Sequence, residues 1–351
     1  MFCMLSFVQL SIHMNIIRFI IVATIVLSFN SCQLRNKYKN ADQYSFSDIE
    51  NVIPLNGKPL DMEGAILSSP MGLQVYDSIL VVLESSGEYV CQLFNLNNDR
   101  NLGYRIARGQ GPNDMIMPNF INGEKDKLRF IDLASSTIFE YSITDFVHNQ
   151  NPVPINKIKL SDNVDSGMLK IKNDYIGFKY FQDQQLYKYS NQGVGLGGFI
   201  PFPESTIQYS NEERADAYYM GFTSNYNDRI ALCYYMTDLL EIYDIEGKLK
   251  KRLHGPEQFF LHHQYPEKNK DAYFSPQNAG EHLFVLYNGG RIKDEGHSSS
   301  CTKMFSFSWE GDLECMYELD YPIYTFFVDC KVKKIYGVCT KPDYHIVEYS
   351  Y

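Results

Sequence analysis

The sequence lacks the features that assign a chain to nucleic acid, to a membrane surface or to a membrane-spanning fold. There is no long run of charge of one sign, and 32 Lys and Arg stand against 42 Asp and Glu. The resulting formal charge of -10 opposes nucleic acid and anionic lipid as partners. The longest apolar-dominated core, Phe19 to Phe29, is shorter than the roughly 20 residues that a transmembrane helix needs.

Motifs for catalysis and metal binding are also missing. No CxxC pair, zinc-type Cys and His spacing or GxSxG element occurs. The adjacent His262 and His263 would point to opposite faces of a strand, which does not suit two ligands of one metal. We therefore expect no metal site, no cofactor and no assignable catalytic residue.

Aromatic residues, in contrast, are abundant. The chain of 351 residues contains 27 Tyr and 23 Phe but only 1 Trp, and short clusters of Asn, Asp, Gly and Ser separate its apolar segments. This composition favours strands and turns over helices.

The N-terminal region has the pattern of an export signal. We take Met14 as the start, followed by one charge at Arg18, the short apolar core, and polar residues before Cys32. A Cys directly after such a core resembles the lipobox of bacterial lipoproteins, although Phe29 and Asn30 depart from the usual Leu and small residue. The resemblance implies lipidation of Cys32; a cleaved secretory signal and a retained anchor are the alternatives.

These features predict three segments. Residues 1–31 are a signal peptide, residues 32–45 are the lipidated Cys and a flexible polar tether, and residues 46–351 are a single globular domain. We expect the domain to be monomeric and the protein to be held on a membrane of the cell envelope by its lipid.

The globular region repeats. Six apolar segments, each followed after a turn-rich gap by a second strand with an aromatic residue, recur at intervals of 49, 48, 54, 53 and 52 residues. They are ILVVLE from Ile79, LRFIDL from Leu128, IGFKYF from Ile176, IALCYY from Ile230, LFVLYN from Leu283 and IYGVCT from Ile335. About four strands in about fifty residues is the content of one propeller blade.

The repeat predicts an all-β fold, a six-bladed β-propeller with about four strands per blade. The last unit ends after three strands, so we expect residues 51–61 to supply its fourth strand and close the ring, which removes exposed sheet edges. Tandem β-sandwiches would match the strand content but not a repeat that occurs six times.

The segment RIARGQGPND follows the first unit. It is not followed by GK[ST] or a helical pattern, so we interpret it as a blade crossing and not as a phosphate loop. Its residues Arg108, Gly109, Gly111, Pro112 and Asp114 match an R-G-x-G-P-x-[DE] pattern, with Asp114 in place of the commoner Glu. In this pattern the chain resembles the TolB-like six-bladed propeller lipoproteins of Bacteroides-type bacteria. The resemblance implies the fold and the location, and it carries over no catalytic residue.

The predicted inner strands and one long loop supply the candidate ligand contacts. Gln74, Asn119 and Tyr219 lie on or beside inner strands, and Arg291 lies in the long loop of the fifth unit. Hardly any carboxylate accompanies them. We therefore hypothesise a binding or scaffold propeller for a protein, peptide or glycan; the alternative is a metal-dependent hydrolase or lyase acting in the central channel.

A Cys32→Ala substitution tests the lipid anchor. Without its thiol the chain cannot be lipidated, so we expect the protein to move from the membrane fraction to the soluble fraction. Immunoblotting of the separated fractions is the measurement, and an unchanged distribution would contradict the anchor.

Overall fold

The computed structural model describes residues 37–123, 127–294 and 298–351. The predicted signal and Cys32 lie outside these residues. The described chain forms two units. In the smaller one, made of residues 37–39 and 204–208, Tyr38 and Ser205 form an antiparallel bridge. The larger one, residues 40–203 and 209–351, carries the strands that follow.

Three short strands precede the blades: β1 (Asp42–Gln43), β2 (Val52–Leu55) and β3 (Lys58–Pro59). The first blade contains β4 (Pro70–Tyr76), β5 (Ile79–Glu84), β6 (Tyr89–Asn95) and β7 (Arg100–Ala107). The second contains β8 (Pro118–Asn122), β9 (Leu128–Asp132), β10 (Thr137–Tyr141) and β11 (Asn156–Lys159). The third contains β12 (Met168–Ile171), β13 (Asp174–Phe178), β14 (Gln184–Tyr189) and β15 (Gly195–Pro201).

The fourth blade contains β16 (Met220–Ser224), β17 (Arg229–Tyr234), β18 (Leu239–Asp244) and β19 (Leu249–His254). The fifth begins with β20 (Tyr273–Ala279), β21 (His282–Tyr287) and β22 (Cys301–Ser308). The long strand β23 (Leu313–Asp329) completes the fifth blade and continues as the inner strand of the sixth, which adds β24 (Lys334–Cys339) and β25 (His345–Ser350).

Within each blade the strands pair antiparallel in chain order. The six repeated apolar segments contain the second strands, which are mostly buried, since a blade packs both of its faces on its neighbours. The third segment continues past β13, which ends at Phe178. The six-bladed all-β fold predicted from the repeat is therefore confirmed.

Two short helices lie outside the strand pattern. Helix α1 (Ile143–His148) follows β10, and helix α2 (Asn211–Ala217) precedes β16. Helix α2 begins with a capping box, in which the Ser210 hydroxyl accepts from the Glu213 amide and the Glu213 carboxylate accepts from the Ser210 amide. The sequence analysis did not predict either helix, because both are shorter than two apolar repeats.

The ring closes between the sixth blade and the first. Strand β3 pairs antiparallel with β25 and supplies the missing outer strand, as predicted. The apolar side chains of the first blade share one buried cluster with Tyr336, Val338 and Ile346 of the sixth. The Tyr324 hydroxyl also donates to the Pro70 carbonyl.

Some of the buried tyrosines donate hydrogen bonds to buried carboxylates. Glu241 is fully buried; it accepts from the Arg252 guanidinium at 2.5 Å and from the hydroxyls of Tyr234 at 2.6 Å and Tyr243 at 2.9 Å. The Tyr234 hydroxyl also lies 2.9 Å from Gln185 of the third blade. A buried ion needs such partners, and Tyr234, which bonds both Glu241 and Gln185, links the fourth blade to the third.

The N-terminal segment covers more of the ring than predicted. In addition to the closing strand, β1 pairs in parallel with β19 and β2 pairs in parallel with β23, at the outer edges of the fourth and fifth blades. Within the segment predicted as a tether, Asp42 and Gln43 thus pair with the fourth blade, and Tyr44 packs against the fifth. No helix among the residues described is long and apolar enough to cross a membrane.

A substitution of Tyr44 tests whether these contacts stabilise the fold. Its ring is 8% exposed and packs edge-on against Phe305 and Phe307, and its hydroxyl bonds that of Tyr273. We expect Tyr44→Ala to lower the free energy of unfolding by about 3 kcal/mol, as for a buried aromatic residue. Urea denaturation is the measurement, with exposed Gln43→Ala as the control. Equal stability of both variants would indicate that this segment is a flexible tether, as the sequence predicts.

Candidate functional site

A cavity of about 320 Å³ lies at the mouth of the central channel, and all six blades contribute to its wall. We call it the upper cavity. It lies where the inner strands begin, and its wall includes Met71, Asn119, Met168, Met220, Ser275 and Thr325, one residue from each blade in turn. Among the described residues of this wall none has a charged side chain. The channel mouth therefore offers a neutral surface.

Several polar groups of the upper cavity keep hydrogen-bonding capacity. Asn119 and Gln277 are half-buried, and within the described chain neither side-chain amide is hydrogen-bonded. Asn122 accepts from Gln74 at 3.1 Å through Oδ1, which leaves its Nδ2 group as a donor. Amides with both donor and acceptor atoms suit a ligand that is itself both donor and acceptor.

A second cavity of about 280 Å³, the lower cavity, lies at the other ends of the inner strands. It shares Asn122 and Gln277 with the upper cavity. Gln74 stands at this junction: it donates to Asn122 and accepts from the Tyr76 hydroxyl at 2.5 Å. At the same level β12 pairs in parallel with β8. Gln74 therefore links the first and second blades at the centre of the ring.

A third cavity of about 360 Å³, the side cavity, opens beside the upper cavity and shares Tyr219 with it. Its wall also includes Tyr180, Asp216 and His263. The Asp216 carboxylate has no ion pair or hydrogen bond with a described residue, and the buried Nε2 of His263 has no described partner either. The side cavity therefore adds a carboxylate and an imidazole, which the described wall of the upper cavity does not have.

Aromatic rings form a row from the surface to the channel. Phe181 is 66% exposed, and its ring centroid lies 5.9 Å from that of Tyr180. The Tyr180 ring lies 5.8 Å from Tyr219, which lies 4.9 Å from Tyr235 in the upper cavity. Burial raises the pKa of Tyr180 and of Tyr235, so both hydroxyls remain protonated donors at neutral pH.

The four candidate ligand contacts fall into two groups. Asn119 and Tyr219 line the upper cavity, and Gln74 lies at its junction with the lower cavity. Arg291 is exposed and forms a backbone bridge with Lys270, and it is not part of the three cavity walls. The structure therefore separates Arg291 from the other three.

Sequence reasoning missed two parts of the site. Gln277 follows Pro276 in an irregular stretch of β20, where the strand alternation that would have placed it is interrupted. Phe181 closes the repeated segment from Ile176 and was predicted as part of a strand, but β13 ends at Phe178, so Phe181 lies in a connection, as does His263. An exposed aromatic in the loop YFQDQ was the available signal for Phe181.

The Arg108 side chain of the crossing motif donates to three backbone carbonyls. The guanidinium of Arg108 donates to the carbonyls of Gly87 at 3.1 Å, Glu84 at 2.6 Å and Ile116 at 2.6 Å. These bonds tie the end of β7 to the second strand of the first blade and to the entry of the second blade. All the bonds that the Arg108 guanidinium makes here thus end on backbone carbonyls of the first two blades.

The two glycines of the motif are needed for space. The Gly111 amide donates to the Asp114 carboxylate at 2.9 Å. A Cβ atom would lie 2.5 Å from Asp114 Oδ2 at Gly111 and 2.8 Å from it at Gly109. Neither glycine has a positive φ, so glycine is needed here for space beside the Asp114 carboxylate.

The described chain contains no cluster of three or more His, Cys, Asp or Glu residues that could hold a metal ion. The His262 backbone amide donates to Asn269 Oδ1 at 2.8 Å, and the His263 ring packs edge-on against Tyr209. The cavity walls therefore support binding chemistry more than metal chemistry.

The fold and its central channel are those of a six-bladed β-propeller. The model of the TolB-like 6-blade propeller-like family matches residues 46–331, and the chain belongs to this family. No curated protein is significantly similar to it in sequence.

Solved structures resemble the chain at low sequence identity. A protein of Bacteroides fragilis NCTC 9343 that is inferred to be exported is 10% identical, with a TM-score of 0.54 over 88% of this chain and 98% of the other. Raptor of Chaetomium thermophilum is 9% identical, with a TM-score of 0.48 over 86% of this chain and 29% of the other. BamB of Moraxella catarrhalis is 9% identical, with a TM-score of 0.42 over 91% and 99%.

Gly111→Val tests the structural interpretation of the motif. The added side chain overlaps the Asp114 carboxylate, so we expect a loss of about 1–3 kcal/mol in the free energy of unfolding, typical of overpacking. Denaturant unfolding is the measurement. Full stability combined with a selective loss of ligand binding would make the motif part of a binding site.

Proposed function

We propose that this protein is a cell-envelope lipoprotein whose propeller binds a protein, peptide or glycan at the upper cavity. The observation that carries the proposal is the neutral wall of that cavity, with the unpaired amides of Asn119 and Gln277 next to aromatic rings. Such a wall gives orientation through a few polar groups and affinity through apolar contact.

The location is argued from the sequence and from a likeness. The segment from Met14 to Cys32 has the order of an export signal followed by a lipidated Cys. The similar structure from Bacteroides fragilis belongs to a protein inferred to be exported, which supports the same location for this chain. The acidic net charge leaves nucleic acid out of the proposal.

A metal-dependent hydrolase or lyase gains no support from the channel. Such chemistry needs carboxylates or imidazoles converging on one ion, and the described walls of the upper cavity provide amides and hydroxyls instead. We therefore place binding ahead of catalysis.

Gly167 gives a sharp test of the upper cavity. A Cβ atom at this position meets no described atom within 4 Å, so Gly167→Leu adds a side chain at the cavity wall without a backbone clash. Starting from a ligand found by a thermal-shift screen of the full-length protein, we expect at least tenfold weaker binding. Calorimetric titration is the measurement.

Asn173→Leu is the matched control, because Asn173 is exposed in the turn at the other end of the same inner strand. Both variants should unfold at the wild-type denaturant concentration. Unchanged affinity in Gly167→Leu would exclude the upper cavity as the site.

We also expect Asn119→Ala to weaken binding by about 1 kcal/mol, the contribution of one hydrogen bond.

A further inference from the structure

We infer that the side cavity and the aromatic row form an oligosaccharide subsite, so that an uncharged glycan lies from Phe181 across Tyr219 into the upper cavity. The inference rests on the proposed function and names its ligand class. Tyr219 belongs to both cavity walls, so one ligand can contact both. Their volumes, about 320 and 360 Å³, together fall in the range of ligand sites, about 300–1,000 Å³.

The aromatic row offers a surface on which a sugar ring can pack. A sugar ring has apolar C–H groups on its face, which pack on the face of an aromatic ring, and hydroxyls at its edge. Phe181 is 66% exposed although it is a large apolar residue, and Tyr180 and Tyr219 continue it inward with ring planes 30° apart. Large exposed apolar groups that continue into a cavity indicate a binding surface.

Polar groups that can bond sugar hydroxyls lie along this row. The Asp216 carboxylate and the buried Nε2 of His263 have no described partners, and both belong to the side-cavity wall. Further inward, Asn119 and Gln277 have unpaired amides. A carboxylate, an imidazole and amides are groups that accept from and donate to hydroxyls, and a buried polar atom without a partner carries a free-energy cost that a ligand can remove.

The charge of the two cavity walls favours an uncharged ligand. The upper-cavity wall has no charged side chain, and the side cavity adds one carboxylate. A phosphorylated or carboxylated ligand would face Asp216 without a Lys or Arg in either described wall. A peptide would bring amide groups that pair best with an open strand edge, whereas these walls present side chains. The arrangement therefore fits neutral sugars better than anions or peptides.

A glycan array tests the inference. Full-length protein is applied to an array of plant, microbial and mucin oligosaccharides, and the best binder is titrated by calorimetry. We expect binding of a neutral oligosaccharide that is at least tenfold weaker in Phe181→Ala and in Tyr219→Ala. Tyr219→Phe, which keeps the ring, should stay within threefold of wild type. Because Phe181 is exposed, its variant tests the site without affecting folding.

Tyr89→Ala is the control, since Tyr89 is 42% exposed and stacks on Tyr104 in the first blade, outside the three cavity walls. It should bind like wild type. An array without a bound oligosaccharide, or equal binding in Phe181→Ala and wild type, would overturn the inference.

The two proposals fail separately. A peptide ligand that is lost in Gly167→Leu would overturn the glycan subsite and keep the channel function. An oligosaccharide that is lost in Phe181→Ala but bound normally by Gly167→Leu would overturn the channel function and keep the side cavity as a sugar site.

Discussion

Closure of the ring is the constraint on which the rest of the structure depends. Each blade is a sheet with two apolar faces, and no blade can bury both unless it has a neighbour on either side. The two-residue pairing of β3 with β25 and the packing of the sixth blade on the first remove the last open face. Because the ring closes, six inner strands surround one channel, and the amides and aromatic rings at their starts face the same space.

The same constraint explains the chemistry between the blades. Tyrosine fills the interface with its ring and brings a hydroxyl that can pair with a buried acid, as Tyr175 does with Glu140 at 3.1 Å and Tyr234 with Glu241 at 2.6 Å. These groups are committed to the scaffold. Tyr218, at the end of α2, is buried against Tyr209 and Tyr234, whereas its neighbour Tyr219 lines the channel mouth.

The sequence predicted the scaffold better than the site. Six apolar second strands at a regular interval carry enough period to fix blade number and the closing strand. The additional strand at Asp42–Gln43 was missed because two residues next to a polar segment have no measurable alternation. Gln74, Asn119 and Tyr219 could be placed because inner strands have a known position in a propeller. Phe181 and His263 could not, because loop side chains meet only in the folded ring.

Hydrogen–deuterium exchange of the full-length protein, with and without its best-binding oligosaccharide, tests the central claim most directly. The account predicts slower exchange at the starts of the inner strands, around residues 119–122, 166–168, 219–222 and 275–277, and in the loop around Phe181. Protection confined to the outer strands, with no change around the channel mouth, would contradict it.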